Sequence, residues 1–519
     1  MRLRLIAPGL LLLFCLPLVA QTTREAVTIE VVDVPVFVSR GTQPVAGLTR
    51  DDFELSVNGK PQAIEYFDVV RTGSTRTAAD AAGPQSLRER RLFLILFDIA
   101  FTPLHGLARA QRAAGDLIAR SPENDYFAVA MYSSRRGLWF ASPFTRDRVA
   151  LARAVGSLTK PESGDPLSIV MTMRERQTLY RWAATLRERS DPFFQPALFD
   201  NALENVSADI MQEQWLNKVR RAAENQVLDF NDLSRRLTAL QGQKHVVLLS
   251  EGFDAGGAYD PAKSAAAVRN ASFDLGPNGL PEVGSTFAEG GAVGGIMGRR
   301  IMEMHRAFQA SDIVLHTVDL KGVSTLMGND ALSALAGGTG GKFVHNRNDL
   351  SNALVELSST YSQSYVLGFR PVGARRNHNS ISVKLRNASR GTTVSYRKGF
   401  DATPDPIDVN EGLYRADVVL NDVPQSGTAA ALTMRSGAVE VRLPMAQLAA
   451  QAGKDGKAEL LVYSFAANGT ALGFHRQVID VASNASGEKT IEVALPAGTT
   501  VAKALLAING SLGFSKISL

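Results

Sequence analysis

The sequence predicts a multidomain chain of α/β plus all-β class, a doubly wound sheet with a β unit on either side. Three observations carry that prediction. Between Arg91 and Pro371, short apolar runs alternate with helical patterns. Before and after that stretch the periodicity falls to two, with Asn-Gly pairs between the runs. At 519 residues, 45% apolar and 21% charged, the chain has ordinary globular composition and length for about three domains.

The N-terminus "MRLRLIAPGLLLLFCLPLVAQTT" has two arginines, an apolar run, then small residues around Ala20. That is the layout of a secretory signal over residues 1–20, so the protein is expected to be exported, to the periplasm or outside the cell. The run is too short to favour a retained membrane helix, and no later apolar stretch reaches about 18 residues. The mature chain is therefore expected to have no transmembrane anchor. Cys15 is the only cysteine and follows Phe14, where a lipoprotein site needs a small residue. Lipid attachment, disulfides and thiolate metal sites are excluded on this reading. A formal charge of +5 is slight for this length and argues against a nucleic-acid partner.

Residues 21–75 read as a β unit. "VTIEVVDVPVFV" alternates with a change of phase at Val32, which predicts a bulged strand, and Pro35 favours an edge. "FELSVNGKPQAIEYF" is a hairpin about Asn58-Gly59. A Thr/Ala/Gly/Ser-rich linker covers 76–90. From 91 to 371 the strands are "RLFLILF", "YFAVAMY", "HVVLLS", "DIVLHTVD" and "GKFVH", with helices at 104–120, 146–158, 296–310 and 348–360. The piece from 168 to 242 is helical and longer than a crossover needs, giving an insertion at about 168–222, and 252–295 is a Gly/Ala-rich loop. The hairpin at 380–399 is expected to pair with the N-terminal strands, so that 376–400 completes the first β unit. A linker at 401–411 leads to a C-terminal β-sandwich over 412–519.

Ligands of open α/β sheets bind at the carboxyl ends of the strands. Those ends offer Asp98 to Thr102, with His105 one turn on, then Ser250-Glu251-Gly252, then Asp319. A strand ending Asp-x-x-x-hydroxyl before an amphipathic helix resembles a von Willebrand factor A domain. More widely, the chain resembles the von Willebrand factor A-related exported proteins abundant in acidobacterial genomes, on "PVAGLTRDDFELSVNGKPQ", "FLILFD", "GQKHVVLLSEGF", "LAGGTGGKF", "SYVLGFRP" and "VSYRKGF". The resemblance implies an immunoglobulin-like first β unit, a von Willebrand factor A-like central domain and extracytoplasmic protein binding. It also implies a metal-ion-dependent adhesion site, with Asp98, Thr102 and Glu251 standing for the first Asp, the second Ser and the third-loop Asp. Ala100 replaces the first Ser, however, and Gly164, Asp165 and Pro166 stand where the second-loop Thr belongs. The site is degenerate. A divalent cation, Mg²⁺, or Mn²⁺ or Ca²⁺ if Asp165 contributes, is the one cofactor raised, and ligand arithmetic argues against it. Asp98 is expected instead to cap the following helix and hold its loop.

Other constellations read blandly. "LAGGTGGKF" lacks the first Gly and the Ser/Thr of a phosphate loop, and "GGAVGGIMG" has no strand before it. The seven histidines form no metal pair and read mostly as surface or strand-end residues. No G-x-S-x-G is present. Trp182 and Trp215 read as packing anchors of the insertion. The expected function is a non-enzymatic, adhesion-type binding protein that presents Asp98, Thr102, His105, Asp165 and Glu251 to a protein partner of the envelope or exterior. The alternatives are a structural component of an envelope assembly and an extracytoplasmic hydrolase.

Overall fold

The computed structural model describes residues 31–71, 87, 89–159, 221–252, 296–323, 329–371, 378–401, 408–452 and 456–518. The expected signal sequence, Asp165, nearly all of the insertion with Trp182 and Trp215, and most of the 252–295 loop lie outside these residues.

Five strands come first: β1 (Val32–Arg40), β2 (Gln43–Pro44), β3 (Phe53–Val57), β4 (Lys60–Gln62) and β5 (Tyr66–Arg71). Asn58 and Gly59 both take positive φ, 50° and 77°, the geometry that lets a two-residue turn follow the twist of the β3 and β4 hairpin.

The central sheet follows. Its elements are β6 (Arg91–Asp98), α1 (Leu104–Arg120), β7 (Tyr126–Ser133), β8 (Gly137–Thr145), α2 (Arg148–Gly156), α3 (221–238), β9 (Gln243–Ser250), α4 (Ile296–Ala310), β10 (Ile313–Asp319), α5 (Asn329–Gly337), β11 (Phe343–Val344) and α6 (Leu350–Thr360). The strand order is β11-β10-β9-β6-β7-β8, parallel except for β8 at one edge. Alternate residues of β6 explain the layering. Leu92, Leu94 and Leu96 pack with α3, α4 and α5 on one face. Phe93, Ile95 and Phe97 pack with α1, α2 and α6 on the other. The short helix α5 is absent from the sequence reading.

After α6 the chain returns to the first β unit through β12 (Gln363–Phe369), β13 (His378–Leu385), β14 (Thr392–Tyr396) and β15 (Gly399–Asp401). One sheet runs β14-β1-β12-β5, with β2 beside β1, and the other runs β15-β13-β3-β4. Val34, Val36 and Leu367 from the first meet Phe53, Leu55 and Val383 from the second in a common core. Three readings are corrected here. Residues 380–399 are not a hairpin: β13 pairs with β3 and β14 with β1, in different sheets. Residues 363–369, assigned to the α/β stretch, lie between β1 and β5 in the β unit. Pro35 is not on an edge strand; it pairs with Val366 of β12 just before β14 joins at Val36, so the missing N–H falls where β1 changes neighbours.

The glycines of "LAGGTGGKF" serve the seam between these units. Gly340 has φ 81°, and a Cβ there would run into the Tyr396 carbonyl of β14. On Gly341 it would run into the Leu315 carbonyl of β10. Only glycine permits both approaches.

Two histidines correct the expectation of exposure. His245 and His316 are fully buried side by side, His245 Nδ1 lying 3.1 Å from His316 Nε2. The Lys342 backbone N–H donates to His316 Nδ1 at 3.1 Å, which places the His316 proton on Nε2, facing His245. Burial pushes both imidazoles down, His316 to about 3. Phe37 of β1 and Tyr361 close over the pair, their rings 4.6 Å apart.

The last unit contains α7 (Gly412–Asn421), β16 (Ala431–Arg435), β17 (Ala438–Pro444), α8 (Met445–Ala452), β18 (Gly456–Phe465), β19 (Ala471–Val481), β20 (Glu488–Ala494), β21 (Val501–Ile508) and β22 (Ser511–Ser518). Sheets β16-β17-β20 and β19-β18-β21-β22 face each other across a core that includes Val439, Val441, Leu460 and Ala504. The strand-only reading of 412–519 missed both helices. Helix α7 carries Leu413 and Val418 into the core of the central sheet. There Arg90 donates to both oxygens of the buried Asp417, at 2.6 and 3.1 Å, and Asn421 Nδ2 donates to the Phe144 carbonyl of β8.

Candidate functional site

Asp98, Ser250 and Asp319 end the adjacent parallel strands β6, β9 and β10, so one sheet end gathers them. Asp98 is 1% exposed. Its Oδ1 accepts from the backbone N–H groups of Ala100 (3.0 Å) and Phe101 (3.2 Å). Its Oδ2 accepts from Ser250 Oγ (2.6 Å) and from Gln226 Nε2 of α3 (2.9 Å). An ionised carboxylate has about four acceptor positions, and four donors meet this one. Burial pushes the Asp98 carboxyl up, while these four hydrogen bonds pull it back.

Asp98 thus holds its loop, but it does not cap the helix. The residue before α1 is Pro103, which provides no side-chain cap, and the amides bound by Asp98 lie ahead of it. Ala100, where the resemblance wants a hydroxyl, is buried and packs in the core on the α3 side. Thr102 is buried, with its methyl against the first turn of α1 at Gly106. Ser250 is committed as well: its Oγ donates to Asp98 and accepts from the Gly252 backbone N–H at 2.8 Å.

Gln226 is the member that sequence reasoning missed. Its signal is a polar residue inside the apolar stripe of α3, where Ala222, Ala223, Val227 and Phe230 are all buried.

Above this buried layer lies a charged rim. Glu251 is 19% exposed, with its Oε1 3.7 Å from Nε2 of His105, which is 76% exposed. A Cβ on Gly106 would come within 2.9 Å of that same Oε1, so glycine lets α1 approach the carboxylate. Burial pushes the Glu251 carboxyl up; His105, Lys321 and Arg109 oppose that, and Asp319 adds to it. The Asp319 carboxyl is also raised by burial and accepts from the Lys321 backbone N–H at 2.9 Å. Arg109 Nη1 donates to the Leu320 carbonyl at 3.0 Å, tying α1 to the loop after β10. Asp98, Thr102, His105 and Glu251 therefore share one end of the sheet, in two layers. The lower layer is buried and the upper carries the accessible charge.

Among the described residues, no group of three or more His, Cys, Asp or Glu side chains is placed to hold a metal ion. A cation at Asp98 would have to displace protein donors, and Thr102 could add only a single hydroxyl, so the residues present fit a Mg²⁺ site poorly. No described helix is long and apolar enough to cross a membrane.

No protein-family description and no curated protein matches the sequence. Among solved structures, the chain is similar to the conserved hypothetical protein BatB from Bacteroides thetaiotaomicron, at 11% identity and TM-score 0.23 over 52% of this chain and 98% of that one. It is similar to an aerotolerance-related membrane protein from Bacteroides fragilis at 10% identity and TM-score 0.23, over 52% and 98% of the respective chains. A third likeness is to three N-terminal domains of the type V pili tip protein Mfa5 from Porphyromonas gingivalis, at 10% identity and TM-score 0.24, over 90% of this chain and 76% of that one. Superpositions this loose place no residue of the site.

Proposed function

We propose that this chain is an exported, non-enzymatic binding protein of the von Willebrand factor A-related kind, which docks a protein partner on the β6, β9 and β10 strand ends without a metal ion. One observation carries the reading: all four acceptor positions of Asp98 are met by donors from the chain itself. An adhesion site that works through a metal needs that carboxylate open to a cation and a vacant coordination position for the partner's acid. Here the loop is already closed, and the accessible chemistry is the rim of Glu251, His105, Lys321 and Arg109, with Asp319 buried beneath it. Alternating charge on a rigid strand-end surface suits a polar protein contact. The same geometry disfavours hydrolysis. Ser250 Oγ faces a carboxylate and a backbone amide, and His105 on this face lies against Glu251. Export rests on the charged and apolar pattern of residues 1–20.

The test is capture from envelope extract on immobilised full-length protein, in Mg²⁺ and in EDTA. The same partner is expected in both, with recovery lost from a Glu251→Lys, Lys321→Glu double variant that reverses two rim charges. A partner recovered only in Mg²⁺, or one indifferent to the rim charges, contradicts the reading.

A further inference from the structure

Strand β19 is the longest in the described chain, at 11 residues, and it lies at the free edge of the β19-β18-β21-β22 sheet. Its outward side chains mix apolar and charged residues: Leu472 is 37% exposed, Phe474 58% and Val478 52%, with Arg476 and Asp480 exposed among them. The same face of β18 and β21 is covered, Leu461 and Leu505 being buried in the core that α7 shares.

Other edges of this region are protected in recognisable ways. Strand β20 carries exposed Glu488, Lys489 and Glu492. Strand β22 is shielded by residues 427–430, through Gly427 N–H to the Leu512 carbonyl and Ser515 Oγ to the Ala430 carbonyl. Helix α7 lies along β8 and reaches its Phe144 carbonyl. Among the described residues no strand pairs with the outer side of β19, and a long edge with exposed apolar side chains is a template for strand addition.

We propose that β19 pairs with β19 of a second copy of this chain, antiparallel about a two-fold axis normal to the sheet at His475. The sequence complements itself in that register. Phe474 stands opposite Arg476 of the second copy, Leu472 opposite Val478, and Gly473 opposite Gln477. Two apolar pairs thus flank two cation–π pairs on the exposed face. Arg476 is held for this role: its Nε donates to Glu459 Oε1 at 2.6 Å, and the ring of Phe474 is braced by Tyr463 at 5.0 Å between centroids. A slip must move the axis by a whole residue if outward side chains are to stay on one face. Moving it to Arg476 sets two guanidinium groups opposite each other, and moving it to Phe474 sets Leu472 opposite Arg476. The His475 register avoids both mismatches. This surface is separate from the strand-end face and does not rest on its function.

Sedimentation of the full-length protein from low to high micromolar concentration tests the association. A concentration-dependent dimer is expected, weakened about tenfold or more by Phe474→Lys, which sets a cation opposite Arg476 of the second copy, with the circular dichroism spectrum unchanged. The register is read in a Cys15→Ser background under mild oxidation. His475→Cys is expected to form a disulfide-linked dimer and Gln477→Cys is not, since only residue 475 faces its own copy. A wild-type chain that stays monomeric at high micromolar concentration overturns the proposal, even if it binds an extended peptide at this edge. So does a dimer indifferent to Phe474→Lys, or one cross-linked through residue 477 rather than 475.

Discussion

Asp98→Ala is expected to destabilise the protein by about 3–5 kcal/mol, read from the midpoint of urea unfolding. The substitution strands the N–H groups of Ala100 and Phe101, the Ser250 hydroxyl and the Gln226 amide, which meet on the lost carboxylate. A buried polar group left without a partner costs about 1–3 kcal/mol. The sum is held down because the wild-type carboxylate is itself disfavoured by burial, the main reason its carboxyl is pushed up. Asp98→Asn is the informative contrast. Its Oδ1 still accepts from the two loop amides, while Gln226 turns its carbonyl toward the new amide and the Ser250 hydroxyl rotates. The expected loss is about 1 kcal/mol. A clamp therefore tolerates asparagine, whereas a metal ligand does not.

The second large effect lies at the opposite end of β6. Arg91→Met is expected to cost about 3–5 kcal/mol, because it leaves a buried carboxylate without its ion-pair partner, with only Arg148 acting on it from farther off. Arg91 is 1% exposed; its Nε and Nη2 donate to the two oxygens of Asp125 at 2.9 and 2.6 Å, and its Nη1 donates to the Ser358 carbonyl at 3.0 Å. Adding Asp125→Leu to Arg91→Met should recover most of the loss, since a buried pair replaced as a unit leaves no isolated charge. A double variant as unstable as the single one would mean that Arg91 acts chiefly through Ser358 and its packing.

The parallel strands were legible because a strand buried on both faces reads as an unbroken apolar run. Asp98 stood out as the polar residue that ends such a run. "SYVLGF" fell inside the 91–371 bounds because an apolar run gives no sign of which sheet it joins, and only pairing with β1 and β5 places it in the β unit. The two side-chain partners of Asp98 come from β9 and α3, far along the chain. A glutamine on one helix and a serine on one strand carry no sign that they converge. The His245 and His316 pair was hidden for the same reason: each sits singly in an apolar strand, and β9 and β10 must lie side by side before the two rings meet. The glycines of "LAGGTGGKF" announced tight geometry but not its purpose, which is the close approach to Tyr396 and Leu315.

Calorimetric titration of Mg²⁺, and then Mn²⁺, into the full-length protein at neutral pH tests most directly whether the strand-end face is metal-free. The saturated carboxylate predicts no stoichiometric isotherm up to millimolar cation and an unfolding midpoint that is the same in Mg²⁺ and in EDTA. A stoichiometric isotherm of micromolar affinity that Asp98→Asn abolishes would contradict it, because a cation would then be displacing the Ser250 and Gln226 donors from Asp98.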